Sequence, residues 1–230
     1  MKSTVLFIVS IALSANLVAQ IAFSPVPSSE ELKAQFTAAI RAESDPFEVL
    51  RAVAYRENDA VPGLVVLLNE PVDPNATTEV TGREEKIKVI AIMALESIGT
   101  ETAYSALVSV ACLGSSECRG IALNALSTAY YERVRAEGWA PEKEIIHVLL
   151  AGADDPSEIA HLNTTVAATA RGGLKTWIGW DLGDSVEKTI TVGKDAKTYA
   201  IAEYREIVWR DVENRLNWNP DLGKFEASPK

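Results

Sequence analysis

One five-residue pattern recurs four times along this 230-residue chain: a small residue or Val, two unrestricted positions, Ala or Gly, then Leu or Val. It reads Val49-Leu50-Arg51-Ala52-Val53, Ala91-Ile92-Met93-Ala94-Leu95, Ala122-Leu123-Asn124-Ala125-Leu126 and Ala170-Arg171-Gly172-Gly173-Leu174. Small residues three apart share one face of a helix and let a neighbouring helix approach closely. A helix–turn–helix unit that cannot bury its face alone, repeated at short intervals, is the signature of an α-solenoid. Composition agrees: Ala occurs 32 times and aromatic residues make up only 7% of the chain, a usage suited to tightly packed helices. The expected fold is all-α.

Helix punctuation sets the expected boundaries. From Ser29, an acidic first turn (Glu30, Glu31) precedes Leu32, Phe36, Ala39 and Ile40 at helical spacing. Asp45-Pro46 interrupts and restarts a helix carrying Val49, Leu50, Val53 and Ala54. Val61 to Leu68 begins another, with Pro62 in its first turn, and Glu70 to Gly82 reads as a loop. Periodicity resumes at Glu84 and stops at Gly99 as a C-cap, after which Thr100 caps a partner helix with Ala103, Leu107, Val110 and Ala111. A third pair is expected from Glu117 to Glu137 and from Pro141 to Ala151. The segments Ala91-Ile-Met-Ala-Leu-Glu-Ser-Ile-Gly99, as a first helix with its turn, and Val61-Pro-Gly-Leu-Val-Val-Leu-Leu68, as a second helix, resemble HEAT repeats of the short bacterial kind. The resemblance implies an α-solenoid of about four HEAT-like helix pairs over residues 29–178. It also implies a largely non-catalytic scaffold, since such arrays mostly bind other proteins along a concave face lined by second helices.

Residues 1–19 read as a signal peptide: Lys2 is the positive start, Val5 to Leu13 the apolar run, and small residues lead to Ala19. Cleavage after Ala19 fits best, with Ala15 and Ala22 as the other small-residue sites. The chain is therefore expected to be exported, periplasmic or secreted, in a bacterial envelope. Residues 20–28, with Pro25 and Pro27, read as an extended lead-in. The later stretch Val61–Leu68 is too short to span a bilayer, so no stable membrane insertion is expected after cleavage. The 32 acidic residues against 22 basic ones, and a formal charge of −10, argue against nucleic acid as a partner.

The last third differs. Four of the five tryptophans, Trp177, Trp180, Trp209 and Trp218, lie there. Thr189–Val192 reads as a short β-like run, and residues 195–217 as a long helix with Ile201, Tyr204, Val208, Val212 and Leu216 at spacings of three and four. Residues 179–230 are expected to form an aromatic C-terminal cap on the last repeat. A sharper alternative makes Trp177, Trp180 and Trp218, beside Asp181, Asp184 and Asp221, a candidate surface for a glycan or peptide.

Groups able to do chemistry are few. The two histidines, His147 and His161, lack metal-type spacing, although a zinc site with Asp154 or Asp155 is conceivable. No nucleophile elbow, phosphate loop or dinucleotide fingerprint occurs, so neither catalysis nor a cofactor is expected. Cys112 and Cys118 flank a short turn; in an exported chain such a pair points to a disulfide, the alternatives being two free thiols or a redox pair. Two functions follow: a protein-interaction scaffold with a neutral or basic partner, or a glycan- or peptide-binding module built on the C-terminal tryptophans.

Overall fold

All four copies of the repeated pattern lie on helices, and in each the fourth and fifth positions are buried: Ala52 and Val53, Ala94 and Leu95, Ala125 and Leu126, Gly173 and Leu174. The computed structural model describes residues 26–41, 46–73, 75–179, 187–192, 195–200 and 216–227. The signal peptide expected at 1–19 lies outside the described residues, as does most of the lead-in before Val26. The chain divides into two compact units, Met1–Ala103 and Tyr104–Lys230.

In the first unit, α1 (Ser29–Arg41) opens with a capping box: the Ser28 N–H donates to Glu31 Oε2 at 2.9 Å and the Glu31 N–H to Ser28 Oγ at 3.2 Å. Its apolar face, Leu32, Phe36 and Ala39, is buried. Helix α2 (Pro46–Ala54), a 3-10 turn (Glu57–Asp59), α3 (Val61–Asn69) and α4 (Thr78–Ile98) follow. Helix α1 packs on α2, α3 and α4, and both α2 and α3 pack on α4. The α1–α3 approach depends on Gly63, where a Cβ would stand 2.5 Å from the Pro27 carbonyl oxygen and 2.9 Å from Leu32 Cδ1. Helix α4 starts six residues before the expected Glu84, because Thr77 accepts from the Val80 N–H and Glu79 faces the positive helix start. It ends at Gly99 in the left-handed region (φ 65°), as expected. Thr100 Oγ1 donates to Asn58 Oδ1 at 2.5 Å. This bond brings the C-terminal ends of the pattern-bearing helices α2 and α4 together.

Helix α5 (Glu101–Leu113) spans the division between the units; in the first, Thr100 Oγ1 caps it by accepting from the Ala103 N–H. The second unit continues with α6 (Ser116–Ser127), α7 (Ala129–Glu137), α8 (Glu144–Gly152) and, after a loop, α9 (Val166–Ile178). The single helix expected over 117–137 is broken at Thr128 (φ −116°, ψ −81°). Ser127 and Thr128 turn their hydroxyls back on the carbonyls of Leu123 and Asn124, at 2.7 and 2.8 Å, which disturbs the helical ladder there. Helix α9 packs on α6 and α8. A Cβ on Gly152 would meet Leu123 at 2.9 Å and Ala170 at 3.2 Å, and one on Gly173 would meet Leu149 at 2.5 Å and also Ser127. Ser127 against Gly173, and the Trp177 Nε1–H donating to the Leu126 carbonyl at 3.1 Å, set the C-terminal ends of α6 and α9 side by side. Pattern-bearing helices thus pack on each other in both units, with like ends together.

Among the described residues, three two-stranded antiparallel sheets accompany the helices. Strands β1 (Glu158–Ile159) and β2 (Thr164–Thr165) pinch the loop before α9. Strand β3 (Glu187–Val192) contains the expected β-like run and pairs with β4 (Asp195–Ala200), Glu187 opposite Ala200 and Val192 opposite Asp195. Strand β5 (Leu216–Asn219) pairs with β6 (Lys224–Ala227), Trp218 opposite Phe225. The helix expected over 195–217 is therefore corrected at both ends to strand, and residues 201–215 lie outside the described residues. Leu216 and Trp218 alternate with two asparagines, a period of two that a helical count through Leu216 overrode.

Candidate functional site

Aromatic side chains among the described residues of the second unit meet in one cluster. Tyr104 on α5 stacks on Tyr130 on α7, with ring centroids 4.4 Å apart, and Trp139 lies 6.4 and 6.2 Å from the two. Trp177 on α9 lies 5.8 Å from Tyr130, 5.1 Å edge-on from Tyr131, 5.8 Å from Trp218 and 6.2 Å from Phe225. Leu216 and Phe225 are buried, so the β5–β6 hairpin covers the end of α9 with its apolar side. Its turn closes at Gly223 (φ 62°), where a Cβ would stand 3.0 Å from Arg135 Nε and 3.3 Å from Tyr131 Oη. Trp177 is fully buried and cannot be part of a ligand surface: its indole N–H is used by Leu126 and its ring is packed on all sides described. Trp218 is half-buried in the same cluster. Trp180, Asp181 and Asp184 lie outside the described residues. The described part of the aromatic region packs the β5–β6 hairpin onto α9.

The expected disulfide is not formed. Cys112 is exposed in the last turn of α5, whereas Cys118 is buried in the first turn of α6 and holds its N–H on Ser115 Oγ at 3.3 Å. The two cysteines do not stand at disulfide distance. Partial desolvation pushes the Cys112 thiol above its ordinary range, which disfavours the reactive thiolate.

His147 is exposed on α8 and His161 exposed in the loop before α9. Among the described residues no group of three or more His, Cys, Asp or Glu side chains could hold a metal ion, so the zinc arrangement with Asp154 or Asp155 is not assembled. His161 instead faces Glu117 on α6, its Nδ1 2.5 Å from Glu117 Oε1. The Glu117 carboxylate also accepts the backbone N–H groups of Ala160 (2.9 Å) and His161 (3.1 Å). Burial alone would raise this carboxyl, but the hydrogen bonds from His161 and Ala160 hold it below its usual range. Two residues on, Arg119 pairs with Asp155, whose other oxygen accepts the Ser157 N–H at 3.0 Å. Here too burial opposes, and the bonds from Ser157 and Arg119 prevail, leaving Asp155 lowered.

In the first unit, Lys33 on α1 bridges Glu70 (3.0 Å) and Glu84 (2.9 Å), while Lys88 Nζ donates to the Glu70 carbonyl at 2.7 Å. Hydrogen bonding to Glu84 raises the Lys33 ammonium, against desolvation and with help from Glu70. None of these links between segments was legible in the sequence, because the partners stand 18 to 51 residues apart. Each ties one segment to another. No helix among the described residues is long and apolar enough to cross a membrane. Compared with protein-family models, curated proteins and solved structures, the chain matches none.

Proposed function

We propose that this protein is an exported, non-catalytic HEAT-like repeat protein that acts as a protein-interaction scaffold. The observation that carries the reading is the packing of the repeated pattern on itself: α2 on α4 and α6 on α9, each pair with its C-terminal ends together. Equivalent helices of successive repeats lie this way in an α-solenoid, an architecture that presents a long surface without any cofactor. The partnerships of Lys33, Lys88, Glu117 and Arg119 support it further, since they join segments of the fold. On the second helices of the proposed pairs, Val66 of α3 and Leu113 of α5 are 55% and 79% exposed, apolar contact points of the kind a partner covers. The formal charge of −10 favours a neutral or basic partner.

The test is purification of the chain from its own cell envelope after in-cell crosslinking, with mass spectrometry of the captured proteins. The reading expects one abundant protein, lost on Val66→Glu or Leu113→Glu while the helical circular dichroism signal is retained. Capture that is indifferent to both substitutions would contradict it.

A further inference from the structure

We propose that residues 153–163 form an acid-released strap on α6, held down by two carboxylate clips whose protonation frees it while the helices beneath remain folded. The segment leaves α8 at Gly152, crosses the first two turns of α6 and returns to α9 at Val166. One clip is Asp155 against Arg119, and Arg119 is itself positioned by the Gly114 carbonyl and Ser116 Oγ, each at 3.4 Å. The other is Glu117, which receives two backbone N–H groups and the His161 ring from the strap. Between the clips the side chain of Ile159 is fully buried against Gly120, in a notch that any Cβ at position 120 would fill. Beyond this knob the strap has its bonds to the start of α9, Val166 N–H to the Ser157 carbonyl (2.9 Å) and Ala167 N–H to the Asp155 carbonyl (2.8 Å). The helices below are held by a core of fully buried side chains including Leu123, Leu149 and Leu174. The strap is therefore held by the two charged clips together with the Ile159 knob and its bonds to α9, whereas the helices below are held by burial.

The charged and titratable groups around the clips are Glu117 and Arg119 on α6, Asp154, Asp155, Glu158 and His161 on the strap, and Arg171 on α9, whose Nε donates to the Ala153 carbonyl at 2.8 Å. Both clip carboxylates bind protons less readily when clipped than when free. Their contribution is thus complete above the free carboxylate range and is lost as pH falls through the lowered range. Release uncovers the Gly120 notch and the Ile159 side chain together.

Hydrogen exchange of the full chain, followed from about pH 7 to about pH 3.5 and corrected for intrinsic exchange, tests this. Protection of the Ala160 and His161 amides should fall severalfold toward the acid end, while Ile145–Leu150 amides of α8 stay protected. In Glu117→Gln, whose amide oxygen still accepts but no longer titrates, that pH dependence should shrink; in Glu117→Gln with Asp155→Asn it should vanish. The proposal is overturned if strap and α8 amides lose protection together in the wild-type chain, or if strap protection is constant with pH.

Discussion

Gly172 and Gly173 stand next to each other on α9 and should respond to the same substitution in opposite directions. Nothing lies within 4 Å of a Cβ at Gly172, so Gly172→Ala gains helix propensity and should stabilise by about 0.5–1 kcal/mol. A Cβ at Gly173 collides with Ser127 and Leu149, so Gly173→Ala should cost about 1–3 kcal/mol. Urea unfolding midpoints separate the two outcomes. The repeated pattern made Gly173 readable as a small position facing a neighbour, and it is one. The cysteines were read by spacing, and spacing carries no direction. Cys112 points outward and Cys118 inward, so iodoacetamide should label Cys112 and spare Cys118 in folded, unreduced protein. Labelling should be slow near neutral pH and faster as pH rises, because Cys112 is raised. Protection of both residues from the reagent would restore the bridge.

At the level of elements, helices were legible wherever apolar period and cap coincided: α1 begins at Ser29, α2 at Pro46, and α4 ends at Gly99. Errors arose where a hydroxyl decided the outcome. Thr77 began α4 early by capping it, and Ser127 with Thr128 broke the expected third helix by bonding back to carbonyls. The β5–β6 hairpin was hidden because Leu216 fits a helical count as well as a strand alternation. Its physical role is visible in Phe225, which is 3% exposed and faces both Trp177 and Trp218. Phe225→Ala should cost about 3–5 kcal/mol in denaturant unfolding. A cost below about 1 kcal/mol would mean the hairpin is not a cap on α9. The clips of the strap could not be read at all, since Glu117 and His161 are 44 residues apart and only the path of the loop before α9 brings them together.

For the whole molecule, the repeated pattern was informative because it encodes a mutual relation: four short stretches that each need a close neighbour find one another in pairs. Function was far less legible, since specificity displayed on exposed side chains leaves no periodic trace. The account therefore stands on where a partner sits. The direct measurement is residue-resolved crosslinking of the captured complex. The scaffold reading predicts that links from the partner fall on α3 and α5 near Val66 and Leu113, and that Val66→Glu and Leu113→Glu remove them. Links confined to residues 179–230, persisting in both variants, would contradict it and make the C-terminal region the binding surface.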